Sequence, residues 1–88
     1  MNPFPEIDGL LEAASGRWAQ MQRTSDPVTG ARLGSELLRD VEQLQALVGQ
    51  ARRAALQAAV DDGMKASDVA SAVGLTKGRV SQILSGRR

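Results

Sequence analysis

The chain has 88 residues, a net charge of +1, and neither cysteine nor histidine. This length allows one small domain, and the missing residue types argue against disulfides, a zinc site and imidazole or thiolate catalysis. No glycine-rich phosphate loop occurs, and the adjacent Asp61 and Asp62 would point about 100 degrees apart on a helix. We therefore expect a protein without enzymatic activity, bound metal or cofactor.

The charge is distributed unevenly along the sequence. Residues 1–48 carry four arginines and seven acidic residues, a charge of −3, whereas residues 49–88 carry seven basic and three acidic residues, a charge of +4. This asymmetry indicates that one end of the chain meets a polyanion and the other does not. Arginine outnumbers lysine nine to two, a bias typical of a GC-rich bacterial genome.

No apolar run approaches the roughly 20 residues of a membrane span. The first residues, MNPFPEIDG, lack the basic segment followed by an apolar one that is typical of a signal peptide. We therefore expect a cytoplasmic, nucleoid-associated protein with no membrane contact.

A first amphipathic helix is predicted over residues 6–23. Apolar residues recur there at spacings of three and four, which places them on one face of a helix. They are Ile7, Leu11, Ala14, Trp18 and Met21. The following segment, SDPVTG, predicts a turn because of its Asp-Pro pair and its glycine.

A second helix is predicted from residues 29–31 to about Asp62, with Thr29 as its N-cap and Gly63 as its C-terminal stop. At roughly 33 residues it would be about 50 Å long, a length typical of a coiled coil. Its apolar residues alternate spacings of four and three, as in a heptad repeat. They are Leu37, Val41, Leu44, Val48, Ala51, Ala55 and Ala58. Additional leucines beside this seam make the apolar face wide enough to contact more than one neighbour.

These two helices predict an N-terminal antiparallel hairpin, residues 1–50, that serves as the dimerisation region. Two helices alone do not enclose a core, so we expect a second copy to complete a four-helix bundle across a two-fold axis. The predicted dimer interface consists of Leu11, Trp18, Leu37, Val41, Leu44 and Val48. The alternatives are a monomer whose long helix breaks near Gly49 and, for Trp18, a place in the core of the chain itself.

Residues 51–88 continue from the long helix and predict two short helices separated by Gly74. Ser67 is predicted to cap the first helix and Thr76 the second, which runs through about Leu84. The apolar positions of this region are predicted to form one small core shared with the end of the long helix. They are Leu56, Ala59, Val60, Val69, Ala70, Val73, Leu75, Val80, Ile83 and Leu84.

The last helix, residues 76–84, leaves short polar and basic side chains outside this core. An α-helix fits the major groove of DNA, where arginine pairs with guanine edges and glutamine with adenine edges. Glycine at position 78 would let the backbone approach the duplex closely. The predicted DNA-binding residues are Ser67, Thr76, Lys77, Gly78, Arg79, Ser81, Gln82, Arg87 and Arg88. For Arg79 the alternative is a phosphate contact or solvation, and for the two terminal arginines it is no specific contact.

The stretch SDVASAVGLTKGRVSQILSG resembles the helix-turn-helix family of DNA-binding domains. Ala70 matches the small residue where the two helices of the family cross, and Gly74 matches the turn glycine. Val80 and Ile83 match the inward positions of the recognition helix. The segment LTKGRVSQI is also similar to the recognition helix in region four of flagellar and sporulation sigma factors. The resemblance covers residues 54–86 and implies insertion of the last helix into the major groove.

The leading hypothesis is therefore a small homodimeric transcriptional regulator that binds specific sequences in double-stranded DNA. The alternative is a protein-interaction module whose long helix binds another protein, such as a polymerase subunit or a larger regulator. The acidic first half and the wide apolar face favour this alternative. Salt-sensitive DNA affinity that depends on the recognition helix would distinguish the two. A third hypothesis combines the two functions: the hairpin recruits a protein partner to DNA.

Overall fold

A computed structural model describes residues 4–86 and contains only α-helices in that range, which confirms the predicted all-α class. The helices are α1 (Pro5–Arg23), α2 (Pro27–Asp61), α3 (Ala66–Val73) and α4 (Lys77–Ser85). No helix within these residues is long and apolar enough to cross a membrane.

The chain forms two compact units, Met1–Gly49 and Gln50–Arg88. Helix α2 contributes to both units and remains helical at Gly49, so the alternative of a helix break at that residue is wrong. Each unit has its own packing.

The residue that caps α2 differs from the predicted one. Pro27 is the first residue of α2, a position that suits its fixed φ and its missing N–H. The Asp26 carboxylate accepts hydrogen bonds from the Thr29 amide at 3.0 Å and from the Thr29 hydroxyl at 2.6 Å. The prediction of Thr29 as N-cap is therefore wrong, because Thr29 lies in the first turn and donates to the residue that caps it.

In the first unit, α1 packs against α2 through a row of half-buried side chains that includes an arginine. A Cβ atom added to Gly34 would lie 3.4 Å from Met21 Cε, so the end of the Met21 side chain packs against α2 at this glycine. The row on α1 is Ile7, Leu10, Ala14, Arg17 and Met21. Leu11 and Trp18, predicted for the same face as Ile7, are instead 54% and 53% exposed.

The corresponding row on α2 also contains a charged residue, because Asp40 takes a position within the apolar repeat. The row is Leu33, Leu37, Asp40, Leu44 and Leu47. Leu33 and Asp40 are buried, whereas Val41 and Val48 of the predicted seam are exposed. Within residues 4–49, Leu33 is thus the only apolar side chain that is fully buried.

Arg17 makes the main polar contact between α1 and α2. Its guanidinium donates to the carboxylate of Asp40 and, through Nε, to Glu36 at 3.3 Å. Arg32 reaches the other Glu36 oxygen at 3.4 Å. The hydrogen bond to Asp40 is the main reason that the pKa of Arg17 lies above its ordinary value. A carboxylate in the packing row of one helix is therefore matched by a cation from the other.

The second unit has a compact apolar core that agrees closely with the predicted one. Leu56, Val69 and Ile83 form its centre, and Ala70 and Val80 are buried as well. The partly buried residues packed against this centre are Ala59, Val60, Leu75 and Leu84. The predicted core residue Val73 is exposed, because it ends α3 and the chain turns directly after it.

Candidate nucleic-acid interface

The turn between α3 and α4 depends on Gly74, which has a left-handed φ of 74°. The Leu75 amide donates to the Ala70 carbonyl at 2.9 Å, which closes the end of α3. A residue with a side chain would be strained at this φ, because L-residues rarely adopt it. Gly74 therefore sets the direction in which the chain enters α4.

Helix α4 begins at the predicted cap. The Thr76 hydroxyl oxygen accepts a hydrogen bond from the Arg79 amide at 3.0 Å, and the Thr76 carbonyl accepts one from the Val80 amide at 3.1 Å. These bonds satisfy two amides of the first turn. The backbone at Arg79 is thus fixed, and its side chain takes no part in the cap.

The two sides of α4 have opposite character. Val80 is fully buried, and Ile83 lies in the same core as Leu56. The residues exposed to solvent around this buried pair are Lys77, Gly78, Arg79, Ser81 and Gln82, and we call them the α4 face. Within residues 4–86, neither Lys77 nor Arg79 forms an ion pair. The α4 face therefore presents two uncompensated positive charges beside hydroxyl and amide groups.

Gly78 has no structural role within the described chain that would require glycine. A Cβ atom added at this position meets no atom within 4 Å. Glycine in a helix is less favourable than alanine by as much as about 1 kcal/mol. Its effect here is to leave the backbone of α4 uncovered between the side chains of Lys77 and Arg79.

Three further residues were predicted to bind DNA: Ser67, Arg87 and Arg88. Ser67 is exposed in the first turn of α3 but does not cap it. The prediction of Ser67 as cap is wrong because α3 begins at Ala66, with Lys65 in the cap position and no side-chain cap bond. Arg87 and Arg88 lie outside the described residues.

The predicted dimer-interface residues fall into two groups. Leu11, Trp18, Val41 and Val48 are exposed, and we call them the hairpin face. Leu37 and Leu44 are half-buried in the row of α2 that also contains Asp40. The chain itself therefore already covers part of these two leucines.

Arg53, near the end of α2, contacts α4. Its Nη2 atom donates to the Leu84 carbonyl at 3.2 Å. A Cβ atom at Gly86 would lie 3.7 Å from both terminal guanidinium nitrogens. No residue pattern in the sequence predicts this hydrogen bond, because it joins a side chain to a backbone carbonyl 31 residues away. The one available cue is that Arg53 lies one helical turn before the buried Leu56.

No family model matches the chain, and neither a curated protein nor a solved structure is similar to it.

Proposed function

We propose that this chain is a small homodimeric transcriptional regulator that binds specific sequences in double-stranded DNA. In this proposal α3, the turn at Gly74 and α4 form a helix-turn-helix, and α4 enters the major groove. The observation that carries the proposal is the α4 face. It presents unpaired cations and hydrogen-bonding groups at the capped end of a helix that Val80 and Ile83 anchor in the core.

The chemical groups of the α4 face suit DNA. An arginine such as Arg79 can bond both acceptors of guanine, and a glutamine such as Gln82 can pair with adenine in the same groove. Lys77 and the amides at the start of α4 suit backbone phosphates. Gly78 has no side chain to hold the duplex away from the helix.

We also propose that α1 and α2 form an antiparallel hairpin. Arg17 contacts Asp40, whereas Met21, four residues further along α1, lies against Gly34, six residues earlier in α2. The residue numbers of successive contacts thus rise along α1 and fall along α2, which is the pattern of antiparallel packing. Such a hairpin with a single fully buried apolar residue, Leu33, gains little hydrophobic free energy by itself.

A second copy of the chain would supply the missing burial. On α1, Leu11 and Trp18 each follow a half-buried residue by one position. On α2, Val41 follows the buried Asp40 and Val48 follows the half-buried Leu47. Successive residues rotate by about 100 degrees in the same sense around each helix. In an antiparallel pair this rotation brings both sets to the same side, so the hairpin face is one continuous apolar surface. Two such surfaces joined across a two-fold axis form a four-helix bundle.

A dimer would present two copies of α4 to DNA. Helix-turn-helix dimers bind half-sites whose centres lie about 34 Å apart, one turn of the duplex, or a multiple of it. The target is therefore expected to be a palindromic or nearly palindromic sequence.

The proposal is tested by fluorescence anisotropy of a labelled DNA pool, titrated with wild type and Arg79→Ala over a series of salt concentrations. Wild-type affinity should fall steeply and log-linearly with salt, because bound phosphates release counterions. Arg79→Ala should lose about 1 to 3 kcal/mol of binding free energy, the value of a bidentate base contact.

Arg39→Ala is the matched control, because Arg39 is an exposed arginine of the first unit. Its affinity should equal that of wild type apart from a small electrostatic effect. Folded wild-type protein that shows no DNA binding at low salt would exclude the proposal, as would equal losses from both arginine variants.

The exposed hairpin face favours one second candidate, a module that binds another protein through this surface. Single exposed apolar residues are ordinary, but a continuous apolar surface is typical of an interaction site. In this case the chain would be monomeric in solution and would bind no DNA. The anisotropy measurement, together with the molar mass in solution, therefore separates the two candidates.

A further inference from the structure

We propose that Arg53 is a positioning residue for α4: it holds the C-terminal end of α4 against the end of α2 and so sets the angle at which the α4 face meets DNA. The role in binding rests on the function proposed above, because this angle matters only if α4 reads DNA. The contact itself is independent of that function and has its own readout in the free protein.

The last carbonyls of α4 have three different partners. The Gly86 amide donates to Ile83 at 3.2 Å, and the Ser85 hydroxyl donates to Gln82 at 3.0 Å. Helix α4 ends at Ser85, and Gly86 follows with a left-handed φ of 76°. The Leu84 carbonyl accepts a hydrogen bond from Arg53 Nη2 at 3.2 Å. The positive charge of Arg53 is also favourable at the C-terminus of a helix.

This hydrogen bond lies next to an apolar contact between the same elements. Leu56, three residues after Arg53, belongs to the buried centre that includes Ile83. Apolar burial is not directional, whereas a hydrogen bond weakens steeply with angle. Within residues 4–86, no other hydrogen bond joins α2 to α4. Arg53 therefore provides the directional restraint on the rotation of α4 about the core.

The contact with Gly86 adds a second constraint. Both terminal nitrogens and Cζ of Arg53 lie within ordinary van der Waals range of a Cβ built there, at 3.7 Å and 3.9 Å. The guanidinium thus lies beside the turn that follows α4 and also bonds the Leu84 carbonyl. Lysine carries the same charge but has one compact donor group in place of this planar fork.

The test uses the full chain with Arg53→Met, Arg53→Lys and the control Arg52→Met. Arg52 is the neighbouring exposed arginine of α2 and makes no hydrogen bond in the described chain. Two properties are measured: amide hydrogen exchange of Ser85 and Gly86 by NMR in the free protein, and DNA affinity as a function of salt. Thermal unfolding monitors whether each variant remains folded.

Arg53→Met should exchange the Ser85 and Gly86 amides about 3- to 10-fold faster, the factor expected for the loss of one hydrogen bond. Its DNA affinity should fall by a similar factor while the salt slope stays unchanged. Arg53→Lys should recover part of both effects because it keeps a donor and the charge. Arg52→Met should leave the exchange of these amides unchanged.

Unchanged amide exchange in Arg53→Met would overturn the proposal, because the end of α4 would then not depend on the contact. A salt slope reduced by about one would identify Arg53 as a phosphate ligand and would overturn the positioning role. Faster exchange with unchanged DNA affinity would overturn its relevance to binding. If wild type binds no DNA, the proposed function fails, and the exchange result alone then decides whether Arg53 holds α4.

Discussion

Gly78 is the residue of the α4 face at which folding and the proposed DNA binding favour different side chains. Because a Cβ atom there meets nothing within 4 Å, Gly78→Ala should stabilise the free protein by as much as about 1 kcal/mol. The added methyl group would project from the surface that we propose to approach DNA, so binding should weaken. Urea unfolding and anisotropy titrations measure the two effects separately.

Gly16→Ala is the control for this prediction, because Gly16 is a helical glycine of α1 with the same free space around it. It should gain similar stability and retain full DNA affinity. A Gly78→Ala variant that binds as well as wild type would show that the duplex does not approach α4 closely at this residue.

Asp26 should make the stability of the chain sensitive to acid. Hydrogen bonds from Thr29 hold the pKa of Asp26 below its ordinary value of 3.8. The ionised carboxylate therefore stabilises the folded state above this value, and the contribution disappears as the pH falls through the lower folded pKa. Asp26→Asn keeps a capping oxygen but does not titrate.

Thermal unfolding of both proteins from about pH 6 to about pH 2 measures this contribution. The stability difference between wild type and Asp26→Asn should be constant at the upper end and change only below about pH 4. A difference that remains constant down to the lowest pH would contradict the capping role of the carboxylate.

At the scale of secondary-structure elements, the pairing of α1 with α2 depends on the contact between Arg17 and Asp40. Asp40 is only 7% exposed, so Arg17→Met would leave a buried carboxylate without its cation and should destabilise the chain markedly. The double variant Arg17→Met, Asp40→Leu should recover much of this loss, because no buried charge remains. Urea unfolding of the wild type, both single variants and the double variant gives the coupling free energy.

Arg23→Met is the control for this cycle, because Arg23 lies in the last turn of α1 and forms no ion pair in the described chain. It should leave the unfolding midpoint nearly unchanged. Strictly additive effects of the Arg17 and Asp40 substitutions would mean that the two side chains do not stabilise the helix pairing together.

The same contact explains which parts of the helices could be predicted from the sequence. The heptad spacing identified both helices, but hydrophobicity alone assigned Leu11 and Trp18 to the packed face of α1. The residues at the packed positions are Leu10 and Arg17. A search for apolar spacing does not assign an arginine to the packed face. The partial burial of Arg17 is favourable only because of its partner Asp40 on the other helix. Such a pair depends on helix register, which the sequence does not contain.

In the second unit the sequence was more informative, because its elements are short and their signals are local. Gly74 and Thr76 fix the turn and the cap through neighbours within five residues. The core was predicted with Val73 as its one error. The contact between Arg53 and Leu84 was missed because it spans 31 residues and involves a backbone carbonyl, which carries no residue-specific signal.

At the scale of the whole molecule, the proposed dimer should depend on the hairpin face. Val48 and Val73 allow a matched comparison, since both are valines and they are 50% and 52% exposed. Val48→Glu would place a carboxylate in the proposed interface, and an unpaired buried charge costs several kcal/mol. The dimer dissociation constant should therefore rise by at least about 100-fold. Val73→Glu, in the second unit, should leave it unchanged.

Sedimentation equilibrium of these two variants and of wild type measures the dissociation constants, and the intrinsic fluorescence gives an independent signal. Trp18 is the only tryptophan and the chain has no tyrosine, so the emission reports on the hairpin face alone. A side chain that is 53% exposed in the single chain should emit at shorter wavelength once a second copy covers it. Dilution of wild type should then shift the emission to longer wavelength at the protein concentration where sedimentation shows dissociation.

Because the hairpin face would be covered only in the dimer, Val48→Glu should show the long-wavelength emission at all concentrations. A wild-type spectrum that is independent of concentration while the molar mass changes would place Trp18 outside the interface. The dimer would then have to form through another surface of the chain.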